Sequence, residues 1–244
     1  MRKSSWSWLL IFVVWLLFAP ILSLAQNPQP STFKAKLFIS ETEWDFGYVP
    51  EEGTATHIFQ IKNLGKDSLF IYQVRPTCGC TTAPLDKDRL ASGETANLKV
   101  NFNAKHFQGK VTKSVKIVCN DENLPFTSVL FSATVDSQNP VVKIEPIVVT
   151  FDSVKKDEKN QRIVKVKNID TSALEIFIVE GGDNLIEHKI EKNSLAPNES
   201  TQIYLETKKD APSGWFQTSL TLDFQGSEKI RYTIPIRGTI VDKK

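Results

Sequence analysis

Apolar and polar residues alternate in short runs along most of this chain. Phe59 and Ile61 alternate with Gln60 and Lys62, Leu98, Val100 and Phe102 follow the same rule, and Val115, Ile117 and Cys119 alternate with Ser114 and Lys116. Further on, Val164 and Val166 alternate with Lys165 and Lys167, Ile203 and Leu205 repeat the pattern, and Leu220, Leu222 and Phe224 alternate with Thr221 and Asp223. A period of two, rich in β-branched and aromatic residues, predicts strands with one face in a core. Beyond the N-terminal segment no stretch carries a convincing helical period. About seven short strands per hundred residues, punctuated by turns, is the pattern of an immunoglobulin-like sandwich.

The pattern occurs twice at a constant offset of 105 residues. Phe46 answers to Phe151, Lys62-Asn63 to Lys167-Asn168, Leu69 and Ile71 to Leu174 and Ile176, Glu94 to Glu199, and Gly109 to Gly214. Chance matches would scatter over many offsets, so a gapless one marks a tandem duplication. Gly93 aligns with Asn198 and Gly79 with Asn184. Gly and Asn take positive φ most readily, so each pair is expected to mark a left-handed turn position. The repeat also acts as an internal control: residues shared by both copies serve the fold, and residues special to one copy are candidates for function. The outstanding difference is Cys78-Gly79-Cys80, which becomes Asp183-Asn184-Leu185.

Arg2 and Lys3 precede an apolar run from Trp6 to Ala19, with small residues at Ser23 and Ala25. This predicts a signal peptide over 1–25 with cleavage before Gln26, leaving no membrane span. Residues 26–35 are polar and read as a flexible lead-in. Two domains are expected over 36–136 and 141–244, joined by Ser137-Gln138-Asn139-Pro140, too short to let them wander freely. The expected fold class is therefore all-β: two tandem immunoglobulin-like β-sandwich domains after an N-terminal signal peptide. Without residues 1–25 the chain balances 28 basic against 28 acidic residues. Nucleic-acid binding draws on a surplus of Lys and Arg, so that class of partner is excluded.

Trp44-Asp45-Phe46-Gly47-Tyr48-Val49, Ile61-Lys62-Asn63-Leu64-Gly65, Cys78-Gly79-Cys80-Thr81, Ser92-Gly93-Glu94 and Gly109 follow one another in the first copy. In this order they resemble the domain-of-unknown-function family numbered 1573, common in bacterial envelope proteins. The second copy keeps the frame without the Cys-Gly-Cys signature. The family is similar to immunoglobulin-like modules of the major sperm protein type, which mostly bind other proteins. The resemblance implies a fold and an exported location, periplasmic or secreted, and leaves the activity open.

Four states are open to Cys78 and Cys80. They form a local disulfide, one of them pairs with Cys119, they bind a soft metal such as copper or zinc, or they stay reduced and only shape a turn. A local bond would close a very small ring and be redox-labile rather than a structural staple. Cys119 sits on the inward face of its strand, at the opposite end of the domain from Cys78 and Cys80. A strand spans roughly 17–20 Å, while a disulfide needs Cα atoms within about 7 Å. His57 shares parity with Phe59 and reads as a packed residue; His106 reads as a solvated loop residue. The chain has no phosphate loop, no His-Glu-x-x-His helix and no nucleophile elbow, so it reads as non-enzymatic and no cofactor is expected. The function expected is an exported binding or scaffolding protein of the envelope, whose partner is another envelope or extracellular protein held by loops or a sheet edge. The alternatives are a thiol-redox or soft-metal protein using Cys78 and Cys80, and a periplasmic pilus-type chaperone.

Overall fold

The alternating runs become strands stacked in sandwiches. The computed structural model describes residues 34–242 except 137, 157 and 159. The expected signal peptide over 1–25 and most of the lead-in lie outside the described residues. The first unit contains β1 (Leu37–Ile39), β2 (Glu43–Val49), β3 (Thr54–Asn63), β4 (Leu69–Pro76), β5 (Thr81–Thr82), β6 (Arg89–Leu90), β7 (Thr95–Asn103), β8 (Gly109–Cys119) and β9 (Phe126–Val135). The second contains β10 (Val142–Glu145), β11 (Val149–Lys155), β12 (Gln161–Asn168), β13 (Leu174–Gly181), β14 (Ile186–Ile190), β15 (Ser194–Leu195), β16 (Ser200–Thr207), β17 (Gly214–Gln225) and β18 (Lys229–Val241), with a 3-10 turn at Gly182–Asn184.

One sheet of the first unit has the order β1-β3-β7-β5, and the matching sheet of the second has β10-β12-β16-β14. The other faces of both sandwiches belong to a single ten-stranded sheet, ordered β15-β13-β17-β18-β2-β9-β8-β4-β6, with β11 paired to β18. Each unit fills its own core. Phe46, Phe59, Leu98, Ile117 and Phe131 are buried in the first, and Phe151, Val164, Leu205, Phe224 and Tyr232 in the second. The fold is all-β, two tandem immunoglobulin-like sandwiches, as the period of two predicts.

Two expectations change in detail. Lys34 and Ala35 are already structured: the Lys66 N–H donates to the Lys34 carbonyl, and Ala35 is buried in the first core. The paired turn position holds for Gly93 (φ 78°) and Asn198 (φ 63°), and the repeated Gly109 (φ 71°) and Gly214 (φ 126°) also take positive φ. They fail for Gly79 and Asn184; in the second copy the left-handed residues are Gly182 (φ 76°) and Asp183 (φ 51°) instead. The two loops therefore follow different paths.

The joint between the sheets is narrow and specific. β2 runs parallel to β18 and meets it at Tyr48 and Tyr232. The Thr233 hydroxyl donates to the Phe46 carbonyl (2.7 Å), and the Arg231 guanidinium donates to the Asp45 carbonyl (3.0 Å). Gly47 has φ 65°, and a Cβ there would strike the Arg231 carbonyl, so no other residue permits this approach. On the opposite wall the Thr56 N–H donates to Ser219 Oγ (3.1 Å), whose hydroxyl donates to the Thr56 carbonyl (2.8 Å).

Candidate functional site

The loops that follow β4 and β13 open onto one cleft between the units. β4 ends at Pro76, which has no N–H to extend a ladder. Thr77 is then fixed by two bonds to the Ser114 carbonyl, from its N–H and its hydroxyl, both 3.0 Å. Cys78 and Cys80 follow, half-buried, and are joined by a disulfide across Cα atoms 5.2 Å apart, within the normal range. The buried Thr81 places its hydroxyl 3.4 Å from Cys78 Sγ and 3.6 Å from Cys80 Sγ.

Of the four states open to the cysteines, this structure has the local disulfide. A disulfide offers no thiolate to a metal, so the soft-metal reading of Cys78 and Cys80 applies only to the reduced pair. Among the described residues no group of three or more His, Cys, Asp or Glu side chains is placed to hold a metal ion. Cys119 faces Ile71 at the far end of the β4–β8 pair, buried and unbridged, and its thiol donates to the Leu124 carbonyl (3.3 Å). Burial pushes the Cys119 thiol up from its ordinary pKa.

The second loop is more than a plain version of the first. The Asp183 carboxylate pairs with the Lys99 ammonium across the units at 2.6 Å, and Lys99 also donates to the Gln217 carbonyl at 2.8 Å. Asp183 stands where the first copy has Cys78, so both loops carry residues that differ between the copies. The cleft these loops border has a volume of about 630 Å³ and is lined by Cys80, Thr82 and Asn101 on one wall and Leu185, Trp215 and Phe216 on the other. Asn101 is held between the Thr56 and Thr82 hydroxyls. Trp215 is 68% exposed.

His57 lies in a second inter-unit contact. It is buried, as its parity predicts, but its ring bridges the joint: Nδ1 lies 3.0 Å from Glu180 of the second unit and Nε2 lies 3.0 Å from Glu41 of its own unit. The imidazole stacks on Trp44, centroids 3.8 Å apart, and the Arg231 guanidinium sits 4.8 Å over the same indole. His106 is exposed, as expected of a loop residue.

Sequence reasoning passed over most of these residues, although the repeat holds the signal. Gly47 answers to Asp152, His57 to Arg162 and Lys99 to Tyr204. They are positions where the copies differ, as Cys78 and Asp183 do, and Gly47, His57, Lys99 and Asp183 each meet the other unit.

The fold and the cleft define a tandem immunoglobulin-like β-sandwich protein. Residues 37–135, the span of the first unit, match the model of the family described as Protein of unknown function (DUF1573). No curated protein matches the chain. Among solved structures, the chain is similar to a protein of unknown function from Porphyromonas gingivalis W83, at 12% identity and TM-score 0.32, over 83% of this chain and 99% of that one. It is also similar to the E. coli chaperone DraB, at 9% identity and TM-score 0.33, over 82% and 98% of the two chains. The ASH / PapD-like domain of human CEP192 matches at 12% identity and TM-score 0.34, over 48% of this chain and 97% of that domain. Likenesses this distant carry no argument about activity. Among the described residues no helix is long and apolar enough to cross a membrane.

Proposed function

We propose that this chain is a non-enzymatic binding protein of the bacterial cell envelope, exported by cleavage before Gln26, and that its inter-unit cleft holds an extended segment of another envelope protein. The observation that carries this reading is the cleft itself, with Trp215 left 68% exposed on one wall and a neutral row of hydroxyl and amide groups on the other. A wide apolar ring with polar neighbours suits a polypeptide, which offers side chains to the ring and peptide groups to the amides. Lys99 is neutralised by Asp183, so the cleft calls for no charged ligand.

The test is chemical cross-linking in native envelopes followed by mass spectrometry, comparing the parent with Trp215→Ala. The expected result is a partner captured by the parent and lost from the variant at unchanged melting temperature; identical capture by both would sink the reading. N-terminal sequencing of the exported protein is expected to begin at Gln26. The pilus-type chaperone reading draws on one observation, a lysine in the wall of a cleft between two immunoglobulin-like units. A client carboxylate would have to displace Asp183 from Lys99, so this reading requires binding of a C-terminal peptide that Lys99→Met abolishes.

A further inference from the structure

We propose that the Cys78–Cys80 disulfide is a thiol–disulfide exchange site, which oxidises a pair of thiols in a polypeptide lying in the cleft. Three observations lead there. The bond links residues two apart in sequence, and a cross-link restrains the unfolded chain least when the loop it closes is shortest. The second unit makes the same connection, from β13 through its turn to β14, with no cysteine at all. The bridge is thus not what holds this part of the frame closed. It is also accessible: both cysteines are half-buried rather than sealed, and Cys80 lines the cleft opposite Trp215. Disulfides in small rings at accessible positions are the ones that exchange.

The geometry assigns the two sulfurs different parts. A client thiol gives its proton to solvent, and its thiolate attacks Cys80 Sγ from the cleft. The Sγ–Sγ bond breaks, and Cys78 leaves as a thiolate that the Thr81 hydroxyl, 3.4 Å away, can receive as a hydrogen-bond donor before solvent protonates it. A second client thiolate then attacks the client sulfur of the mixed disulfide and releases Cys80, which is protonated in turn. Two electrons pass from the client to the protein. The client gains one disulfide, and Cys78 and Cys80 become thiols. The step is stoichiometric, with the protein's own disulfide as oxidant. Cys119 cannot intercept the intermediate, because it is buried at the other end of β4 and β8.

The full oxidised chain is mixed with a reduced synthetic peptide carrying two cysteines, quenched with N-ethylmaleimide and read by mass spectrometry. One equivalent of peptide is expected to be oxidised per chain, on the order of 100-fold faster than by Cys78→Ser/Cys80→Ser. A peptide with one cysteine is expected to stop at the mixed disulfide on Cys80, with Cys78 alkylated. This measurement uses the parent alone and decides the matter even where the double variant does not fold. Trp215→Ala is expected to slow the peptide reaction by about 10-fold, since the ring that docks the peptide lies across the cleft from Cys80. A parent that oxidises the peptide no faster than the double variant, or a mixed disulfide carried on Cys78, overturns the proposal. The proposal shares the cleft with the binding reading but stands apart from it: loss of the envelope partner in Trp215→Ala tests binding, and the cysteine readouts test exchange.

Discussion

Asn63 and Asn168 hold the same place in the two copies, and both are fully buried. The Asn63 amide donates to the carbonyls of Asp67 (2.8 Å) and Leu90 (3.0 Å), while its Oδ1 accepts from the Gly65 N–H (2.9 Å). Asn168 donates to Ser172 (2.8 Å) and Leu195 (3.1 Å) and accepts from Asp170 (2.8 Å). Each amide ties the turn after one strand to a short strand in the facing sheet. Asn63→Ala or Asn168→Ala strips partners from buried carbonyls, so each is expected to cost about 2–4 kcal/mol in urea unfolding. Replacement by Asp is expected to be no better, because a carboxylate cannot donate to those carbonyls. A loss of only a few tenths would mean that solvent takes the amide's place. The repeated Lys-Asn pair was visible in the sequence; its purpose was not, because Leu90 lies 27 positions from Asn63 and nothing local announces the bond.

The long strands could be read because each has one face in a core. Phe59, Val166 and Leu222 are all fully buried, where the period of two puts them. β5, β6 and β15 have two residues each and show no period. The union of β2 with β18 was equally hidden, since the main-chain approach that makes it leaves no hydrophobic signature. Its one trace is Gly47, which the second copy replaces with the exposed Asp152. Gly47→Ala combines positive φ with a collision against Arg231, and is expected to cost at least about 1–3 kcal/mol. In calorimetry the parent is expected to melt in one transition and Gly47→Ala in two, while Asp152→Ala leaves the single transition intact. One unchanged transition in Gly47→Ala would show that the shared sheet does not couple the units.

At the scale of the molecule, Arg231 links both sandwiches. It holds Asp223 within the second unit with bonds of 2.6 and 3.0 Å, and it reaches Trp44 and the Asp45 carbonyl in the first. Burial alone would raise the Asp223 carboxyl; the hydrogen bonds and charge of Arg231, helped by Lys229, reverse this and hold it below its ordinary pKa. A carboxyl lowered by folding adds stability that is present above its unfolded pKa and lost as pH falls through the folded one. The melting temperature is therefore expected to drop as pH falls below about 4, and Asp223→Asn is expected to flatten that part of the curve. An equally steep acid limb in Asp223→Asn would place the acid-labile group elsewhere. Little of this inter-unit chemistry was legible as periodicity, because Arg231, His57, Lys99 and Asp183 differ from their counterparts in the other copy; the candidate cysteine loop was legible for that same reason.

The ten-stranded sheet also bears on inheritance. Duplication ordinarily leaves one copy free to drift while the other keeps the ancestral duty. Here the copies share a main-chain joint at Gly47 and Arg231, a clasp at His57 and Glu180, and an ion pair at Lys99 and Asp183. Each pair has one member in each copy, so a change on one side is tolerated only with an answering change on the other. Across descendants of this gene the two halves are therefore bound to evolve as one lineage, with these three pairs changing together or not at all.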